Sequence, residues 1–150
     1  MPNSEKKSLK AVQQVVSDTF VLYMKTYAVH WNYTGANFFS VHKLTEGQYE
    51  ELAEAVDEIA ERIRAVGETA PISLSNILNA SDLSEFKGES SSPSVMLEEL
   101  VRGHELLSKR ASEAARACDE EKDYFGHDLM TKRIGAHDKA HWMLKSLLRH

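Results

Sequence analysis

The sequence predicts an all-α protein, a four-helix bundle with a short extra helix in the long connection between its second and third helices. Three observations lead there. Apolar residues recur every three or four positions along four long segments, which is the period of a helix with one buried face. Almost nothing alternates in the manner of a strand, and only three prolines interrupt 150 residues. That length suits one compact domain, so residues 1–150 are read as a single domain without internal repeats.

The first helix is expected from about Ser4 to Tyr33, with Val12, Val15, Thr19, Leu22, Thr26 and Val29 on its buried stripe. The second runs from about Ala36 to Val66, its stripe carried by Leu52, Val56, Ile59, Ile63 and Val66. Gly67 supplies a C-terminal cap and Pro71 bars continuation. Residues 71–93 form one long connection, in which PISLSNILN reads as a short helix and KGESSSPS as turns. A connection this long fits a crossover between distant ends of the second and third helices. The third helix begins near Ser94 and carries Leu97, Leu100, Val101, His104, Leu107, Ala111 and Cys118. The chain turns around Glu121 to Tyr124, and a fourth helix follows to the C-terminus with Met130, Ile134, Leu144 and Leu148 on its stripe.

Composition excludes several classes of function. No apolar run approaches the roughly 18 residues of a membrane span. The polar start, MPNSEKKSLK, lacks the apolar core of an export signal, so a cytoplasmic location is expected. A net charge of -5 argues against a dominant nucleic-acid role and is compatible with attracting cations. Cys118 is the single cysteine, which rules out an intrachain disulfide and a cysteine-based zinc site; beside an acidic run it reads as a buried thiol. No Ser-His-Asp arrangement, phosphate loop or dinucleotide fingerprint occurs.

The chemistry concentrates at the first helical hairpin and along the second helix. Asp57 and Glu61 stand four apart, about 40° and about 6 Å from each other on one helix face, where two carboxylates can hold a hard cation. The bland reading of that face is a solvated acidic flank laced by pairs such as Glu58–Arg62. His30 ends the first helix and His42 opens the second, so a tight hairpin brings both imidazoles to one place. His42 and Asp57, however, are 15 residues apart on one helix, roughly 22 Å along its axis. They share a metal only if a second subunit packs antiparallel and lends its acidic pair, which makes two equivalent sites per dimer. His137 and His141 also stand four apart, but share a stripe with Ile134 and Leu144. They read as packed histidines, as does His104.

The stretch His30 to Gly67 resembles the signature of the Dps family, the DNA-binding proteins from starved cells, or mini-ferritins. That pattern is His-Trp-Asn, a second histidine twelve later, then Asp-x-x-Ala-Glu-Arg; here it is His30-Trp31-Asn32, His42, and Asp57 to Arg62. HDKAHWMLKSLL is similar to the family's last helix. The resemblance implies a ferritin-like bundle, a hollow homododecamer, and a di-iron ferroxidase centre at the two-fold interface. Its ligands are His30 and His42 from one chain with Asp57 and Glu61 from its neighbour. It also implies iron oxidation and storage as ferric mineral, hydrogen peroxide as the oxidant, and protection from oxidative stress. Maxi-ferritins and rubrerythrins instead use Glu-x-x-His motifs within one bundle, and this sequence has none.

Three further assignments follow from the resemblance. Glu46 stands where some members have a supplementary aspartate, and two roles stay open for it: iron ligand, directly or through water, or solvated glutamate. Trp31 is expected beside the iron as electron donor or radical quencher, a role compatible with anchoring an interface. Asp123 and Asp128, near acidic Glu120 and Glu121, match the residues of an iron-entry pore. The alternative function is a nucleoid-binding architectural protein with incidental iron binding. Family members that compact DNA use lysine-rich tails, and Lys6, Lys7, Lys10, Lys145 and Arg149 make a poor substitute, so DNA binding is expected to be weak or absent.

Overall fold

The computed structural model describes residues 6–87 and 92–148. Five helices occupy them: α1 (Lys7–Asn32), α2 (Phe38–Ala65), α3 (Leu74–Ala80), α4 (Pro93–Glu120) and α5 (Tyr124–Leu148). No strand occurs among the described residues. The four long helices sit within three residues of their expected bounds. The expected start at Ser4, four residues of the turn-rich stretch, and Arg149 and His150 lie outside the described residues.

Cross-chain contacts fix the directions. His30 meets His42 and Tyr27 meets Tyr49, so α1 and α2 form an antiparallel hairpin. Ser108 bonds Asp138 and His127 bonds the Ala115 carbonyl, which makes α4 and α5 a second one. Lys25 pairs with Glu99 at 2.5 Å while Ser8 reaches Glu121, so α1 also runs antiparallel to α4. The end of α2 and the start of α4 therefore lie at opposite ends of the bundle, and residues 66–92 span its length. The six positions expected on the buried stripe of α1 are all buried, as are Leu52, Ile59 and Ile63 of α2. They meet Leu97, Leu100 and Leu107 of α4 and Met130 and Leu144 of α5 in one core.

Buried polar groups on α1 staple the crossover. Asp18 is fully buried and accepts from the Ser81 hydroxyl and the Asp82 N–H, both at 2.7 Å. Lys25 donates to the Ser84 carbonyl at 3.0 Å with its ammonium over the Phe86 ring. The short helix α3 starts at Ser73, whose hydroxyl accepts from Asn76 N–H, and buries Ile77.

Two helices end in the same motif. After α2, Gly67 at φ 98° donates to Arg64 O, and Glu68 N–H reaches back to Ile63 O. After α4 the left-handed position is Lys122, φ 59°, with Lys122 N–H to Asp119 O and Asp123 N–H to Cys118 O. Asp123 then caps α5, its carboxylate accepting from Gly126 N–H at 2.9 Å. A Cβ at Gly126 would fall 2.8 Å from Asp123 Cγ and 2.9 Å from Cys118 Sγ, so the cap requires glycine there. Cys118 is buried, and burial with nearby Asp123 pushes its thiol up to about 12.

The acidic flank of α2 differs from the expectation in one respect. Arg62 pairs with Asp123 at 2.8 Å and lies over the Phe125 ring, while Glu58 meets Lys132 at 3.9 Å. Partners on the neighbouring hairpin replace the Glu58–Arg62 pair, because α5 presents a fixed carboxylate where an i,i+4 pair would have to order two mobile side chains.

Candidate metal centre

The loop between α1 and α2 is five residues long, and Gly35 at φ 117° makes its turn. It places the two histidines face to face, with ring centroids 3.7 Å apart and planes 16° apart. Their Nδ1 atoms are held reciprocally: His30 Nδ1 donates to His42 O at 2.8 Å, and His42 Nδ1 donates to His30 O at 2.9 Å. A carbonyl oxygen only accepts, so each Nδ1 carries a proton, and in the neutral tautomer that this selects, the lone pair sits on Nε2. Neither Nε2 has a partner among the described residues. Thr45 reinforces the pair, its hydroxyl 3.2 Å from His30 Nδ1 and donating to Val41 O at 2.7 Å. This is the arrangement that metal-ligating histidines need: the second nitrogen anchored to a carbonyl, the first exposed as a donor atom.

Aromatic rings wall the pair. Tyr27 stacks on Tyr49 at 3.9 Å, both stand edge-on to His30, and Phe38 stacks on His42 at 5.1 Å. Trp31 lies 4.7 Å from Tyr27 by ring centroids, yet it remains 59% exposed, a large apolar surface with no cover from its own chain. The tyrosines escaped the sequence reading. Tyr23, Tyr27 and Trp31 nevertheless repeat every four residues on α1, which was the available signal.

Asp57 and Glu61 lie exposed on the far half of α2. The helix is uninterrupted between His42 and Asp57, so their separation is roughly 22 Å at 1.5 Å per residue. Among the described residues of one chain, no three His, Cys, Asp or Glu side chains come together as a metal site. One chain therefore holds the paired histidines where α1 ends and α2 begins, and the two carboxylates on the far half of α2. Imidazole nitrogen with carboxylate oxygen is a donor set that fits Fe(II) and favours the harder Fe(III).

Glu46 lies one turn beyond His42 and pairs with Lys43 at 3.6 Å on the surface. The two acids expected at a pore differ from each other. Asp123 is committed within the chain, to Arg62 and to the α5 cap, whereas Asp128 is exposed and unpaired among the described residues. His137 is fully buried and bonds His104 across the helix pair, so it is packed as expected.

Comparison with known proteins agrees with this architecture. The ferritin-like domain family matches residues 9–150. Dps from Staphylococcus aureus has a TM-score of 0.91 at 33% identity, covering 97% of each chain. Dps from Vibrio cholerae, described as a member of a broad superfamily of ferritin-like diiron-carboxylate proteins, has a TM-score of 0.89 at 29% identity over 95% of this chain and 89% of that one. The DNA protection during starvation protein of Listeria monocytogenes is 30% identical over 136 residues, 89% of this chain and 86% of its own. With a matching bundle, crossover and hairpin, the chain belongs to the Dps family of ferritin-like proteins.

Proposed function

We propose that the chain assembles into a hollow dodecamer that oxidises Fe(II) at sites shared between subunits and stores the ferric product inside. The observation that carries this reading is the reciprocal locking of His30 and His42, which leaves two Nε2 atoms free as donors to a metal. An antiparallel neighbour would add Asp57 and Glu61, completing a site with two nitrogen and two carboxylate ligands. Four such side chains hold one iron well; a second would bind more weakly and draw on water or on Glu46, once that residue leaves Lys43.

Hydrogen peroxide is the oxidant proposed. It accepts one electron from each of two Fe(II) ions, its O–O bond breaks, and both oxygens leave as hydroxide or water, so no hydroxyl radical is released. The two electrons must arrive together, which is what a paired site provides. Trp31, beside Tyr27, is placed to give up an electron when only one iron is present. Twelve chains of charge -5 carry about -60 in all, which draws cations to the shell. Asp128 is the better candidate for lining their entry, since Asp123 is engaged in the fold. In this reading the protein works in the cytoplasm as a shield against peroxide, with DNA binding weak or absent.

The test is anaerobic loading of the metal-free assembled protein with Fe(II), followed by peroxide or by oxygen in separate portions. The expected result is rapid oxidation of about two Fe(II) per peroxide, faster than with oxygen, without hydroxyl-radical spin adducts. Oxidation no faster than in protein-free buffer would overturn the proposal.

A further inference from the structure

Away from the histidine pair, a line of polar groups runs from the surface of α2 into the seam between α2, α4 and α5. It starts at Glu51, whose two carboxylate oxygens accept from the two Nη atoms of Arg133, Nη2 at 2.9 Å. Arg133 Nη2 also donates to His137 Nε2 at 3.2 Å. A guanidinium only donates, so His137 Nε2 carries no proton and the ring proton sits on Nδ1. That N–H faces His104 Nδ1 at 2.9 Å, which accepts and leaves the His104 proton on Nε2. Both rings are neutral: burial first and the Arg133 charge second hold His104 down to about 3 and His137 well below its ordinary value.

The line ends without a partner. His104 is 1% exposed, and its Nε2–H meets no acceptor among the described residues. Gln48, 9% exposed, has neither its amide oxygen nor its amide nitrogen satisfied. Native proteins rarely leave buried donors unmet. His104 and Gln48 line the same cavity of about 430 Å³, a volume typical of small-molecule sites. Leu44, Ala136, Ala140 and Met143 give it aliphatic walls, and Lys43 and Lys139 also line it. Its one described carboxylate, Glu51, is already matched by Arg133, while Lys139 has no ion-pair partner among the described residues.

We propose that this cavity binds a small monocarboxylate. Its two oxygens accept from His104 Nε2–H and Gln48 Nε2–H, its short hydrocarbon body lies on the aliphatic wall, and Lys139 supplies countercharge. A planar acceptor with two oxygens matches two donors. A tetrahedral dianion would leave most of its oxygens against hydrocarbon, and water alone would leave the aliphatic wall uncovered. The inference is independent of iron chemistry.

Equilibrium dialysis of radiolabelled butyrate against the assembled, iron-free protein tests it. The expected result is saturable binding of roughly one butyrate per chain, competed poorly by phosphate and by butanol. Gln48→Met should weaken binding about tenfold or more, the effect of one charge-assisted hydrogen bond. The Gln48 side chain has no hydrogen-bond partner among the described residues, so this nearly isosteric change leaves the hydrogen bonds seen there intact. Lys139→Ala should weaken binding less, and only at low salt. Absence of saturable butyrate binding, equal binding by the Gln48→Met protein, or tighter binding of phosphate would each overturn the assignment.

Discussion

Replacing His30 by alanine in one set of chains and Asp57 by alanine in another separates a site within one subunit from a site shared by two. The structure fixes the arithmetic. His42 and Asp57 are roughly 22 Å apart on α2, so a shared site takes its histidines from one chain and its acids from the other. Shells of either variant alone have no intact site. In shells reassembled from equal amounts, half the two-fold pairs are mixed. Each mixed pair has one doubly broken site and one fully intact site. One site in four is therefore restored, so peroxide-driven Fe(II) oxidation should recover to about a quarter of the wild-type rate. The assay is stopped-flow absorbance of ferric product, with native mass spectrometry to prove that subunits have mixed. Mixed shells no more active than either parent would refute the shared site. Recovery in unmixed controls would point instead to iron chemistry elsewhere on the chain.

Other measurements probe the supporting structure. Folded His104 is held down to about 3 and His137 is also lowered, while an unfolded histidine takes up its proton near 6.5. The unfolded chain thus binds more protons in that interval, and the contribution is full above pH 6.5 and drains away as pH falls toward 3. For His104 the loss is about 2 kcal/mol at pH 5. Urea unfolding at pH 7 and pH 5 measures it, and a flat profile would show that the rings are not held neutral. Lys122 occupies a left-handed position at φ 59°, so Lys122→Gly should stabilise by about 1 kcal/mol and raise Tm by a few degrees; a lower Tm would contradict the strain argument. Asp128→Asn should slow Fe(II) uptake at low ionic strength, with the difference vanishing in high salt, whereas Asp123→Asn keeps the α5 cap through its amide oxygen but should also lose about 0.5–1 kcal/mol of stability with the Arg62 ion pair. Uptake by the Asp128→Asn shell that matches wild type at low salt would move the entry route elsewhere. In a gel shift at about 50 mM salt and neutral pH the protein should leave duplex DNA unretarded; tight retardation abolished by removing residues 1–10 would make the N-terminal lysines a DNA-binding tail.

The bundle was legible because each long helix shows a continuous apolar stripe, and hairpin logic alone brought His30 to His42. What escaped was information held between elements. The i,i+4 rule pairs Arg62 with Glu58, yet the α5 cap offers Arg62 a carboxylate already fixed in place. Asp123 was assigned to a pore by the family resemblance, and an aspartate three residues before Gly126 at a helix start also has the spacing of a cap. His137 was weighed against His141 on its own helix, while its partner, His104, comes from α4. The crossed Nδ1 bonds depend on ring rotation, which spacing does not encode. Asp57 and Glu61 share one exposed helix face, as their four-residue spacing requires, but one chain does not show what that face meets.

The crossed bonds between His30 and His42 give the end of one helix and the start of the next a mechanical interlock. Neither imidazole can rotate without releasing the other's main-chain carbonyl, so the two move together or not at all. In the proposed role an incoming ion would therefore meet ligands whose freedom was surrendered during folding, and its departure would leave the same cradle behind. Repeated filling and emptying would then require no rearrangement of the hairpin. The same interlock makes the five-residue turn intolerant of length change: one inserted residue would shift the register of α2 by about 100° and carry His42 off its face.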